Sequence, residues 1–140
     1  MTDTTDSATA AAAGTTAAPG VVSVFLTTIP LDQLDRYRVV GDPDAAESAL
    51  EAGSGLVGVD VAMLEVDGFV KAADDPVAEL LGYSAGESFA DAAALDLTRL
   101  RSDDHTGLVL VYDHDARRGA GVREGSGLTL VGVYSYDWRA

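Results

Sequence analysis

The nine residues VVSVFLTTI, Val21–Ile29, set how the rest of the chain is read. β-Branched and aromatic side chains crowd this run, and Pro30, which cannot donate to a sheet ladder, stops it; the pattern predicts a β-strand. Leu31–Val40 is mixed in character. A helix follows, with Asp42 as N-cap, Pro43 at the first helical position and Gly53 past the end. Leu56–Val66 reads as a strand, apolar on both faces in places, which predicts a central position in a sheet. Asp67-Gly68 carries the signature of a type I′ hairpin turn, with Phe69–Ala73 as its return strand. Asp75-Pro76 opens a short helix that Gly82 closes. Ser84-Ala-Gly-Glu87 forms a capping box for a longer helix reaching about Arg101, with Phe89, Ala93, Leu97 and Leu100 on one face. Two strands, Gly107–Tyr112 and Gly127–Asp137, finish the chain on either side of a loop rich in Gly and Arg. The order β-α-β-β-α-α-β-β predicts a single α+β domain over residues 21–140, with a mostly antiparallel sheet.

Ahead of the first strand, residues 1–20 (MTDTTDSATAAAAGTTAAPG) are dominated by Thr, Ala, Ser and Gly. Such a segment buries too little surface to offset its ordering entropy, so an extended N-terminal arm is expected. Fully extended it reaches about 65 Å, enough to lie along a neighbouring subunit.

Charge bounds the partners. Acidic residues outnumber basic ones 23 to 9, with 17 Asp, 6 Glu and a single lysine, Lys71, for a net charge of -14. That field repels nucleic acid and anionic membrane, so neither is an expected partner. It also strains the compact state in dilute buffer, a strain that salt relieves as the Debye length falls to about 3 Å near 1 M. An Asp-rich, Lys-poor surface suits a salt-tolerant source, and a high-GC genome produces the same bias. Cysteine is absent, which excludes disulfides, thiol catalysis and thiolate metal sites. No stretch approaches the apolar length of a membrane span, and the N-terminus lacks the basic and apolar regions of a secretory leader.

Several motifs that carry chemistry in other proteins occur in the chain, and their context decides what they mean. Gly53-Ser-Gly-Leu-Val-Gly58 matches G-x-G-x-x-G, but a dinucleotide site needs a strand before it and a helix after it, the reverse of the order expected here. Gly82-Tyr-Ser-Ala-Gly86 matches the G-x-S-x-G nucleophile elbow, and Asp and His residues follow it; a helix precedes it, so Ser84 reads as a helix cap, with a small serine hydrolase as the third functional reading. The two histidines lie in Asp103-Asp-His105 and Asp113-His-Asp115. A strand of about 30 Å separates them, which prevents one ion from being shared. Asp113 and Asp115 are the carboxylates best suited to a hard cation, yet three consecutive residues rarely enclose one, and a solvated loop with no metal or cofactor is expected. Gly53-Ser-Gly-Leu56 is echoed by Gly125-Ser-Gly-Leu128, in keeping with glycine-rich turns ahead of strands. Arg117, Arg118 and Arg123 form the dense basic spot of the chain, suited to docking on the acidic face of another copy.

Val61–Ser88 (VAMLEVDGFVKAADDPVAELLGYSAGES) resembles the PAS sensor family, in which a strand, an Asp-Gly turn, a second strand and a short helix ending in a Leu-Leu-Gly-Tyr-Ser-like phrase follow one another. Leu130–Asp137 (LVGVYSYD) is similar to a final PAS strand. Where PAS chains carry Asn before the proline, this one has Asp75, and Val21–Ile29 has no PAS counterpart. The resemblance implies a sensory or ligand-binding domain. The first expectation is different: a non-enzymatic, homo-oligomeric structural subunit, most plausibly a virion protein (capsid decoration or tail component) of a salt-tolerant or high-GC microbial host. Its partners would be copies of itself and other subunits, and its location the virus particle, or otherwise the cytoplasm.

Overall fold

The apolar run at Val21 becomes an inner strand. The computed structural model describes residues 16–39, 49–69, 76–81 and 83–138. Its elements are β1 (Ala17–Thr27), a 3-10 helix (Leu31–Arg38), α1 (Ala49–Ser54), a 3-10 turn (Val61–Met63), β2 (Leu64–Gly68), α2 (Pro76–Leu81), α3 (Gly86–Leu100), β3 (Gly107–His114), a second 3-10 turn (Ala116–Arg118) and β4 (Leu128–Ser135). The four strands form one sheet in the order β2-β3-β1-β4, and every neighbouring pair is antiparallel. The domain is α+β, as the alternation of elements requires.

Two apolar layers sandwich the sheet. On one face Phe89, Ala90, Ala93, Ala94 and Leu97 of α3 and Leu80 of α2 pack on Val22, Val24, Leu26, Leu108, Leu110, Tyr112 and Val131. On the other, Leu34 and Tyr37 of the long 3-10 helix join Leu50, Leu56 and Val59 over Phe25, Val66, Val109, Val111 and Leu128. With both faces covered, inner strands lose the alternation of a half-solvated sheet, and Leu108 to Tyr112 is continuously buried. Phe89, Ala93 and Leu97 fall on the buried face of α3 as their spacing predicts.

Local signals were overridden where long-range pairing competed with them. Leu56–Val66 is not a central strand: residues 56–60 are irregular, and the strand is the shorter edge strand β2. Asp67-Gly68 makes no hairpin turn. Asp67 pairs with Leu108 and Gly68 with Gly107, so the dipeptide ends β2 within the ladder. A Cβ on Gly107 would lie 2.3 Å from the Asp67 carbonyl oxygen, so glycine there permits the close strand approach. Phe69 donates its N–H to the Thr106 carbonyl; the rest of the expected return strand, and Asp42, Pro43, Asp75 and Gly82, lie outside the described residues. α1 runs through Gly53 and ends at Ser54, and Gly55, at φ +82°, takes the left-handed position after it.

Ser84 does not cap α3. Ala85 occupies the N-cap in the left-handed region (φ 57°) with no side-chain cap bond. Ser84 is instead claimed by Glu65 of β2, which accepts from its N–H and its hydroxyl, both at 2.9 Å. A carboxylate is the stronger acceptor, and bonds to it are charge-assisted.

The first strand also begins earlier than Val21. Ala17 pairs with His114, the register shifts between Ala17 and Val22, and Gly20 (φ +82°) donates its N–H to the Asp113 carboxylate at 2.9 Å. Residues 17–20, read from sequence as the end of the arm, therefore belong to the sheet. Residues 1–15 lie outside the described residues.

Candidate functional site

The end of β3 and the loop after it hold Asp113, Asp115 and the basic spot, and the fold gives each its own partners. Asp113 sits at φ 62°, where its carboxylate accepts from Gly20 N–H and, at 2.7 Å, from the Tyr136 hydroxyl. Asp115 caps the turn Ala116–Arg118 by accepting from Arg117 N–H at 2.9 Å, and it grips the Arg117 guanidinium through Nε (2.9 Å) and Nη2 (2.8 Å). This grip holds the Asp115 carboxyl below the usual carboxylate range. Both carboxylates are thus engaged by chain donors, and among the described residues no three His, Asp or Glu side chains converge as metal ligands.

The histidines end up at opposite ends of β3 and differ in role. His105 Nδ1 accepts from Ser102 N–H at 2.9 Å in a local turn. His114 is buried, its Nδ1 2.7 Å from the Thr16 hydroxyl, and burial pushes its pKa below the ordinary imidazole value. Because the folded value is lowered, the native state favours the neutral ring. The stability this confers is complete above the unfolded value of about 6.5 and is lost as pH falls below it. We expect the wild-type melting temperature to fall faster between pH 7 and 5 than that of His114→Gln, with parallel pH curves as the contrary result in a thermal melt series.

Ser84, the candidate nucleophile, faces Glu65 rather than a histidine. Glu65 also accepts from the Tyr112 hydroxyl at 2.6 Å, and that oxygen lies 2.6 Å from the Ser84 carbonyl. Desolvation, reinforced by the Glu65 carboxylate, drives the Tyr112 pKa far upward and keeps the phenol protonated as donor. The cluster ties β2, β3 and the bend before α3 together. The segment before Ser84 is α2 followed by a bend, not the buried strand that a nucleophile elbow requires.

The three candidate interface arginines divide. Arg117 and Arg118 both address Asp115, at 2.8 and 4.0 Å, and Arg118 also donates to the Ala17 carbonyl at 3.2 Å. Arg123 lines a cleft of about 320 Å³, shared with Ile29, Arg36, Tyr37, Gly53 and Ser126. Two backbone features build this cleft. Arg123 N–H donates to the Gly53 carbonyl at 2.8 Å, and the two Gly-Ser-Gly-Leu stretches pack on one another, a Cβ on Gly53 falling 3.0 Å from Ser126 Cβ. Each serine makes the same turn, Ser54 accepting from Leu56 N–H and Ser126 from Leu128 N–H. The sequence echo thus marks two touching turns, whereas only the second precedes a strand. Arg36, the second cation of the cleft, was missed; its only sequence signal was a place in the polar 3-10 helix.

The two sheet edges are treated differently. Along β2, the Arg38 guanidinium donates to the Val66 carbonyl and pairs with Asp35. β4 carries LTLVGVYS, eight residues without a charge or a proline. Its inner side pairs with β1; alternate N–H and C=O groups face outward, and among the described residues only Leu128 N–H of these meets a side chain, Ser126 Oγ at 3.2 Å.

No protein-family model, curated protein or solved structure matches the chain. What the described residues define is an antiparallel four-stranded sheet buried on both faces, with Arg38 on the β2 edge, no described segment on the β4 edge, and an arginine-lined cleft. Among the described residues no helix is long and apolar enough to cross a membrane.

Proposed function

We propose that the chain is a non-enzymatic subunit of a larger assembly, joined to a second copy through antiparallel pairing of their β4 strands. The observation that carries this is the open, uncharged eight-residue edge of β4. An unpaired edge is a template for another strand, and proteins that stay monomeric blunt such edges with Lys, Pro or a covering segment. Among the described residues only the opposite edge is blunted, by Arg38. Pairing β4 with its own copy is isologous, extends the sheet from four strands to eight and closes both open edges at once. It also brings two chains of charge -14 together along a strand that bears no charge. Within this class a virion protein, a capsid decoration or tail component, fits the acidic surface and the low-complexity residues that precede β1, with Arg123 addressing acids of other subunits.

Sedimentation velocity tests the pairing. The expected species is a dimer or larger, whose dissociation constant falls between 0.1 M and 2 M NaCl as like-charge repulsion is screened. Thr129→Lys with Ser135→Lys places charge on the edge outside the buried core and is expected to give a monomer with a melting temperature within about 3 °C of wild type. A wild-type monomer at both salt concentrations overturns the reading, as does an unchanged mass in the edge variant.

A further inference from the structure

Among the described residues most arginines meet a carboxylate or a ring within the fold, and the exceptions converge. Arg38 pairs with Asp35, Arg99 with Asp96 at 3.1 Å, and Arg117 and Arg118 with Asp115. Arg101 stacks on Phe69, its guanidinium carbon 3.6 Å from the ring centroid. Among the described residues, Arg36 and Arg123 are the arginines whose guanidinium groups meet neither a carboxylate nor an aromatic ring, and both line the same cleft. Among the described residues, two cations that face one cavity thus have no carboxylate partner.

The other walls complete a recognition pattern. Arg36 Nη1 donates to Gln33 Oε1 at 3.1 Å, which orients the guanidinium and leaves four of its five N–H donors. Ser126 Oγ accepts from Leu128 N–H, a bond that does not use its own O–H. The Tyr37 hydroxyl is committed to Thr27 at 3.0 Å, so the ring offers the cleft an apolar surface beside Ile29, Ala49 and Ala52. A volume of about 320 Å³ is at the small end of ligand sites.

We propose that this cleft binds a small organic oxyanion, a phosphate or carboxylate group carried on a compact apolar body. The oxyanion bridges Arg36 and Arg123 through charge-assisted hydrogen bonds, which a planar guanidinium makes in pairs. Ser126 donates a further bond, and the apolar body lies against Tyr37, Ile29 and Ala52. Strand pairing at β4 involves neither arginine, so the proposal does not rest on it; a bound oxyanion would instead compete with acids of other subunits for Arg123.

Isothermal titration calorimetry of the full chain tests it, at one fixed ionic strength, with inorganic phosphate, phenyl phosphate and isovalerate as probes. ¹⁵N–¹H spectra report the Arg36 and Arg123 Nε–H and the Ser126 amide. Phenyl phosphate is expected to bind saturably, shift those three signals, and bind about tenfold more tightly than inorganic phosphate because its ring is buried. Isovalerate is expected to shift the same signals. Arg36→Gln and Arg123→Gln are each expected to weaken phenyl phosphate about tenfold, with the melting temperature within about 3 °C of wild type, since both side chains are exposed. The proposal is overturned if no probe shifts these signals saturably, if the double variant binds phenyl phosphate as wild type does, or if phenyl phosphate and inorganic phosphate bind equally.

Discussion

Phe25→Ala is expected to lower the free energy of unfolding by about 3–5 kcal/mol. Phe25 is fully buried on β1, paired with Val109 on one side and Leu130 on the other, and its ring fills the layer between the sheet and Leu34, Tyr37, Leu50 and Leu56. Removing the ring forfeits its transfer energy and leaves a cavity that the sheet cannot close, because the backbone on either side is fixed by two ladders. Against a total stability of about 5–15 kcal/mol, a loss of this size consumes much of the margin. The urea midpoint is expected to fall with the slope unchanged, and the melting temperature by about 10–25 °C. Leu95→Ala on α3 is the control. Leu95 is 77% exposed, and its truncation is expected to change stability by less than about 0.5 kcal/mol. Equal losses in the two variants would show that Phe25 does not sit in the core.

Gly119→Ala is the second large effect, and it reaches the cleft. A Cβ at this position would lie 2.2 Å from the Gly55 carbonyl oxygen and 3.0 Å from Thr16 Cγ2. Gly55 is equally constrained from its side, its own Cβ position falling 2.7 Å from Gly121 N and O. The contact is backbone against backbone, so no side chain can swing away and the loop itself must shift. The expected cost is about 2–3 kcal/mol. The shift separates the loop from α1 and weakens the bond from Arg123 N–H to Gly53, so hydrogen exchange at the Arg123 amide is expected to accelerate beyond the change in global stability. Gly121→Ala isolates backbone strain from steric clash. Gly121 has φ +91° with nothing within 4 Å of an added Cβ, so its cost is expected to be only about 1–2 kcal/mol. Protection at Arg123 unchanged in Gly119→Ala would mean that the close packing does not hold the cleft.

The site was half legible, and particular residues show why. Arg123 announced itself as part of a dense basic loop, and so did Arg117 and Arg118. What distinguishes them is a partner two or three residues away: Asp115, once it caps the turn Ala116–Arg118, takes both neighbours and leaves Arg123 to the cleft. Arg36 stands 87 positions before Arg123, and nothing local joins them; the fold brings the 3-10 helix and the loop before β4 to the same cavity. The echo of Gly-Ser-Gly-Leu had the opposite fate. Its residues were visible, but their mutual contact is tertiary.

Ser84 and Asp67-Gly68 mark where local preference failed. A serine three residues before a glutamate caps helices, and Asp-Gly turns hairpins, when no stronger partner competes. Here Glu65 offers Ser84 a carboxylate, and β3 offers Asp67 and Gly68 a ladder. Each loss was to a group more than 15 positions away.

By itself the sequence determined the α+β class, the mostly antiparallel sheet, the strand at Val21, the buried face of α3 and the acidity of the chain. These follow from near-neighbour periodicity, backbone stereochemistry and composition, which need no knowledge of the fold. The tertiary structure alone decided which strand is inner and which is an edge, that Arg38 covers β2 while no described segment covers β4, and that Arg36 and Arg123 share a cleft. Those outcomes depend on pairings across 28 to 114 positions, where a single competing carboxylate or strand outweighs a turn preference of about 1 kcal/mol.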